Sequence, residues 1–407
     1  MTAALATGIG GSSAASELLR FQSRRAAAIP IGAAEYRERV ERLRAGMRES
    51  GVDAVFLCAS TSLYYFTGLR CRPSERLHGA ILRQSGEPLY VCPAFEEQKT
   101  RAEIVLEGDF LLWEEHDNPT RAIVDSLSKC LPGGARLALD EQTPFFIASR
   151  LQESATGLQI INAENLIAAC RRIKSPAELA LLAQAKAITL RVQQAAARIL
   201  HEGIDTREVQ AFLDAAHIAA GMDGRSTFNI VLFGEATAYP HGVPYPQQLR
   251  EGDMVLIDTG ATLHGYNSDI TRSYVFGEAD ARQREIWELE NAAQAAAFAA
   301  ARIGAPCSAA DDAARAVIEA AGFGPGYSLP GLPHRTGHGV GLDVHEQPYI
   351  VRGNDLPLQA GMCFSIEPMI CSYGEFGVRL EDHVYMTDDG ARWFTEPSAA
   401  IDDPFGG

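Results

Sequence analysis

The second half of the chain repeats itself. GIDTREVQAFLDAAHIAAG, from Gly203 to Gly221, is matched by GAPCSAADDAARAVIEAAG, from Gly304 to Gly322, with the same separation of glycines. Further on, LREGDMVLID (Leu249 to Asp258) aligns without a gap on LQAGMCFSIE (Leu358 to Glu367); leucine, glycine, isoleucine and the terminal acid coincide. Each of these strands is followed by a turn and a second acid, Asp269 in one half and Glu381 in the other. Each half therefore reads helix, strand, acid, turn, strand, acid. This pattern predicts a pseudo-twofold pair of hairpins that brings two acids from each half to one centre. Shared generic helix and strand patterns are the plainer explanation, but they do not account for acids at matching positions.

If His264-Gly265 is a two-residue turn, Leu263 pairs with Tyr266 and Asp258 faces Thr271. Asp269 is then the same-face diagonal neighbour of Asp258, roughly 7–8 Å away at Cα. Buried carboxylates without partners cost several kcal/mol or are forced to protonate, and four together repel one another. Two divalent cations cancel their four charges, with neutral His338 of HRTGHGVGLDVHE as a fifth ligand and a bridging hydroxide as nucleophile. The predicted ligands are thus Asp258, Asp269, His338, Glu367 and Glu381. An oxygen-rich set with one imidazole and no thiolate suits Mn, Co, Fe or Zn. Glu367 is the candidate to shuttle a proton from attacking water to leaving amine as well as to ligate; plain ligation is its alternative.

His241 follows the loop-like ATAYP, and His345 ends GVGLDVH. Imidazoles beside a tetrahedral oxyanion would stabilise it; ordinary hydrogen-bonded histidines are the alternative. His264 is expected at a solvated turn tip, His334 in packing, and His383 behind the ligands on the face of Glu381. Arg379, two residues before Glu381, can pair with a ligand carboxylate and hold its orientation, or form a surface salt bridge.

With 407 residues and 46% hydrophobic content, the chain has material for more than one core. A net charge of -16 argues against a nucleic-acid or anionic-membrane partner, and no long apolar run suggests a membrane span. Residues 1–30 read as a flexible lead without the basic and leucine-rich regions of a signal peptide. The eight cysteines show no disulfide-framework spacing, so the expected compartment is the cytosol. An α/β domain is predicted over 31–170, from the helical EYRERVERLRAGMRESG, strands at VDAVFLC, GAILR and LYVC, and helices near 94–105 and 118–130. A second domain, 171–407, opens at KSPAELALLAQAK, where Ser175 is the N-cap, Pro176 sits at N1 and Glu178 closes a capping box.

DTGATLHGYNSDITR, HRTGHGVGLDVHE, SIEPM and GVRLEDHVYM resemble the motifs of the pita-bread fold metallopeptidases, the group of methionine aminopeptidase, aminopeptidase P and prolidase, over about residues 175–395. The preceding α/β domain, with STSLYYFTG and the KSPAE entry, resembles the aminopeptidase P, prolidase and creatinase branch; RPSERLHGA and CPAFEE look like a bacterial Xaa-Pro dipeptidase group. The resemblance implies a creatinase/prolidase-type N-terminal domain followed by a pseudo-twofold pita-bread catalytic domain. It implies two divalent metal ions (Mn foremost, with Co, Zn or Fe as others) on the five ligands above. It further implies substrate or intermediate contacts from His241 and His345, a pocket position for Phe228, and the proton-shuttle role for Glu367. The implied activity is a prolidase acting on small proline-containing peptides, in a homodimer whose N-terminal domain helps close the partner's site.

One departure stands out. Many prolidases carry an arginine four residues after the histidine matching His345, where it holds the dipeptide's carboxylate; here that position is Tyr349. Arg352, Arg379, Arg72 and Arg76 are the candidate replacements, with Arg379 as a further substrate contact, and aminopeptidase P is the alternative activity. A creatinase-like hydrolase or lyase, or an inactive binding module, fits less well with all five ligands present. The N-terminal domain disfavours a methionine aminopeptidase.

Overall fold

A computed structural model describes residues 8–406. The chain forms two compact units, Ile31–Arg171 and the segment through Pro30 together with Arg172–Gly407.

The first unit is built on one six-stranded sheet. Its strands are β1 (Ala54–Cys58), β2 (Gly79–Arg83), β3 (Leu89–Pro93), β4 (Asp109–Trp113), β5 (Ala135–Leu139) and β6 (Leu158–Asn162), in the order β4-β3-β2-β1-β5-β6. β2 runs antiparallel to both neighbours, and the remaining pairs are parallel. Phe56, Ile81, Val91, Leu127, Leu137 and Leu151 are buried in its core. The helices Glu97–Glu103 and Pro119–Ser128 lie where the periodicity placed them.

The second unit carries the repeat. The helix Pro176–Arg198 opens with the expected box: Glu178 N donates to Ser175 Oγ at 3.2 Å and Ser175 N to Glu178 Oε2 at 3.0 Å. The helix Thr206–Ala220 follows, then β7 (Phe228–Phe233), β8 (Met254–Gly260), the short hairpin β9 (Thr262–Leu263) and β10 (Tyr266–Asn267), and β11 (Ile270–Val275). The second half repeats this order with helices Ala281–Ala300 and Ser308–Ala320, then β12 (Gly337–Gly339), β13 (Glu346–Ile350) and β14 (Cys363–Ile366). The hairpin β15 (Met369–Ser372) and β16 (Phe376–Arg379), then β17 (Asp382–Thr387) and β18 (Gly390–Trp393), complete it. Three strands form the sheet β11-β8-β7 and five form β13-β12-β14-β17-β18. An isolated bridge links Thr271 of β11 to Glu381, the residue before β17.

The predicted register holds: Leu263 pairs with Tyr266, and Asp258 with Thr271. His264 and Gly265 both have positive φ, 51° and 86°, as a type I′ turn requires.

The expectation of a flexible lead is corrected for the described residues from Gly8 onward; residues 1–7 lie outside them. Gly10 and Ser12 donate backbone N–H groups to Ala197 and Arg198 carbonyls at 2.9 and 3.0 Å, and Arg24 donates to Ala220. The fully buried Glu17 carboxylate takes Arg198 at 2.7 Å and Arg20 at 2.8 Å. Backbone amides, the Glu17 carboxylate, the Arg25–Asp223 ion pair at 2.7 Å and the isolated buried Ile9 anchor this segment, a mixture with no periodic hydrophobic pattern.

Candidate metal centre

The repeat delivers its acids as the pattern required. Asp258 lies within the fully buried β8, Asp269 immediately precedes β11, Glu367 follows β14 and Glu381 precedes β17. His338 is the middle residue of β12; a Cβ on the preceding Gly337 would stand 2.0 Å from the Ser365 carbonyl, so only glycine lets β12 approach β14 here. Donor atoms of Asp258, Asp269 and Glu381 lie within 4.8 Å of one another, as do those of His338, Glu367 and Glu381. Glu381 belongs to both groups, so two adjoining nests of ligands share it. His383 also reaches this distance from Asp269 and His338. His338 Nε2 is 2.9 Å from Glu367 Oε1 and 3.7 Å from Asp269 Oδ2.

Burial raises the Asp258 carboxyl, and raises Asp269 and Glu381 well above the ordinary range, reinforced by the neighbouring acids. Glu367 is the exception. Burial pushes it up too, but the charge and hydrogen bond of His338 outweigh this and hold it below its ordinary value. Asp258 Oδ1 and Glu381 Oε1 are buried without a hydrogen-bond partner. A self-repelling ring of oxygens with orphaned lone pairs, one imidazole and no thiolate is a donor set that fits divalent cations.

Protein cations surround this ring. The buried Arg379 places Nη2 2.5 Å from Asp258 Oδ2, Nε 3.2 Å from Thr271 Oγ1 and Nη1 3.0 Å from the Pro240 carbonyl. Each of its guanidinium nitrogens thus lies on a protein group, with Asp258 of the acid cluster as its carboxylate partner. Arg272 and Asp382, both fully buried, pair at 2.8 Å beside the ligands. Lys186 lies below the site, 3.2 Å from the Asn267 carbonyl and 5.1 Å from the Phe394 ring, its ammonium pushed down to about 8 by burial.

Two glutamines support the ring from behind. Gln193 Nε2 donates to the Ile257 and Ile270 carbonyls, both at 2.9 Å. Gln294 Nε2 reaches the Ile366 and Leu380 carbonyls at 3.3 and 3.2 Å. Each of these carbonyls adjoins a ligand acid in sequence, so one amide in each half fixes the spacing of a pair of ligand-bearing strands. Gln193→Leu or Gln294→Leu is expected to remove two hydrogen bonds to buried carbonyls, at about 1–3 kcal/mol, and to weaken metal affinity roughly 10- to 100-fold. Thermal unfolding with and without metal, and calorimetric titration, would read both effects. The only mark of this pair in the sequence is its spacing: Gln193 and Gln294 are as far apart as Gly203 and Gly304.

On the open side, the His345 ring packs edge-on against His338, with centroids 4.1 Å apart. Lost solvation, then the charges of His338 and Arg335, push His345 down to about 4 and leave it neutral near pH 7. Burial also lowers His334, and the charge of His241 bears on both of these rings. Phe228 begins β7 opposite Gly260, two residues beyond Asp258.

Residues 180–388 match the metallopeptidase family M24, and residues 39–173 match the creatinase/prolidase N-terminal domain. The chain is 35% identical to a putative dipeptidase, YkvY, of Bacillus subtilis (strain 168), over 88% of its own length and 97% of that protein. It is 31% identical to an Xaa-Pro dipeptidase of Lactobacillus delbrueckii subsp. lactis, over 89% and 98%. The crystal structure of dipeptidase PepE from Mycobacterium ulcerans superposes with a TM-score of 0.83 at 32% identity, covering 90% of this chain and 97% of that one. With its acids and histidine where the repeat brings them together, the chain belongs to the M24 metallopeptidases and carries the creatinase/prolidase N-terminal domain before its catalytic unit.

Proposed function

We propose that the protein is an Xaa-Pro dipeptidase that works with two divalent metal ions, Mn first among them, and cleaves the bond before proline. The observation that carries this reading is the shared cluster of four carboxylates and one imidazole in an M24 chain. The relatives described as Xaa-Pro dipeptidase and prolidase support the substrate class.

Asp258, Asp269 and Glu381 would hold one ion; His338 and Glu367 would hold the other, sharing Glu381. Such a pair, when bound, polarises a carbonyl and makes hydroxide available near neutral pH. Glu367, at the end of β14 and facing the cluster, would take the proton of the attacking water and deliver it to the departing proline nitrogen. Neutral His345, with His241 nearby, donates toward the oxygen on which charge develops. Phe228 offers an apolar wall beside Gly260. Proline lacks an N–H and has a fixed φ, so a peptidase gripping extended backbone handles it poorly and a dedicated pocket is needed.

The reading includes a cytosolic homodimer. The eight free cysteines support that compartment, and no described helix is long and apolar enough to cross a membrane.

The test is hydrolysis of Ala-Pro beside Ala-Pro-Ala by chelator-stripped enzyme, before and after reloading with Mn. Cleavage of Ala-Pro only after reloading is the expected result. Preference for the tripeptide would replace the assignment with aminopeptidase P. Cleavage of neither substrate with metal bound would remove the peptidase reading.

A further inference from the structure

We infer that Arg335 reads the free carboxylate of the substrate, restricting the site to peptides that end at the proline after the scissile bond. This deepens the proposed function and rests on it.

Arg335 stands three residues before His338, with its guanidinium carbon 4.4 Å above the centroid of the Tyr349 ring. Tyr349 is the direct cross-strand partner of His338, so the stack sits beside a ligand strand. The charge of Arg335 also reaches His345, whose ring lies against His338. Arginine and tyrosine thus flank the face that the two histidines line.

The Arg335 side chain is half-buried, and among the described residues it meets neither an acid nor a hydrogen-bond acceptor. That is unusual in a chain of net charge -16. Stacking explains how it is held: the aromatic face fixes the guanidinium plane and leaves its edge N–H groups free. A planar fork with free donors fits a carboxylate in a bidentate fashion. Other candidates in this unit are engaged elsewhere. Arg352 faces Asp312 at 3.5 Å and Glu319 at 3.9 Å, and Arg379 holds Asp258.

The chemistry of the substrate agrees. In an Xaa-Pro dipeptide the carboxylate is separated from the scissile nitrogen only by the proline Cα. A cation at the rim of the metal centre therefore meets it when the scissile carbonyl is at the centre. A longer peptide presents a neutral amide at that point and must run its chain past the stacked pair. Tyr349 thus becomes the support of the carboxylate-binding cation.

The experiment compares Ala-Pro with Ala-Pro-amide, using Mn-loaded wild type, Arg335→Met and Arg335→Lys. Binding of free proline and of prolinamide is followed by calorimetry. Wild type is expected to favour the acid in both assays. Arg335→Met should raise KM for Ala-Pro roughly 10- to 100-fold with kcat little changed, leave the amide's parameters alone, and abolish the preference for proline over prolinamide. Arg335→Lys, which keeps the charge but loses the fork, should fall between. The amide serves as the internal measure of an intact site. Equal loss on acid and amide, or no loss on either, overturns the role of Arg335. Equal cleavage of acid and amide by wild type overturns it while leaving the Xaa-Pro reading in place. If metal-loaded wild type cuts neither, that reading fails and takes this one with it.

Discussion

Asp269→Ala and Glu381→Ala are each expected to reduce metal-dependent turnover of Ala-Pro by roughly a thousandfold or more. A bound ion contributes several kcal/mol of charge stabilisation in such reactions, and each 1.36 kcal/mol is a factor of ten in rate. Glu381 should be the more damaging, because it belongs to both groups of donor atoms. The same variants should show an opposite effect on the bare fold. Burial and the neighbouring acids raise Asp269 well above its ordinary value, so removing it relieves repulsion in metal-free protein. The expected outcome is a higher Tm without metal and a smaller rise on adding Mn. Full activity in either variant would remove these residues from the centre.

Metal-free wild type is expected to lose stability as pH rises from about 4 to 8, the range above the unfolded carboxylate values near 4. Asp258, Asp269 and Glu381 all have folded values raised by burial. Above the unfolded value the native state holds more protons than the unfolded chain, so unfolding free energy falls with pH. The stability is present at the acid end and is lost as pH climbs through the folded values. Glu367, held low by His338 against the effect of burial, works the other way: its contribution is present above the unfolded value and lost as pH falls through the folded one. Glu290, raised well above its ordinary value by burial, adds to the same sign as the three raised acids. His334, His345 and His383, all lowered by burial, oppose it only below the unfolded histidine value of about 6.5, so the loss is clearest from there upward. Bound cations replace the missing protons and bind more tightly as the acids ionise, so metal-loaded protein should resist this loss and the Tm gap between the forms should widen with pH. A gap that stays constant would mean the acids do not face one another in the absence of metal.

Much of this centre was legible because strands have a side-chain period of two. With His264-Gly265 as the turn, the facing of Asp258 and Thr271 follows by counting, and the structure has that register. The capping box at Ser175 was equally local. What escaped the sequence is what depends on a partner far along the chain. Nothing around Gln193 says that its amide spans two strands, nothing in DITRSY says that Arg272 meets Asp382, and Arg335 has no local mark linking it to Tyr349. Residues 8–30 escaped for another reason, since backbone hydrogen bonds carry no side-chain signature.

The Thr271–Glu381 bridge has a mechanical consequence. It ties one half of the repeat to the other through the backbone, with Glu381 N donating to the Thr271 carbonyl at 3.2 Å, and the buried pairs Arg272–Asp382 and Arg379–Asp258 cross between the same halves. Gaping of one repeat from the other would break two buried ion pairs, each leaving charge stranded in the interior. The centre therefore has no way to breathe along its own axis of symmetry.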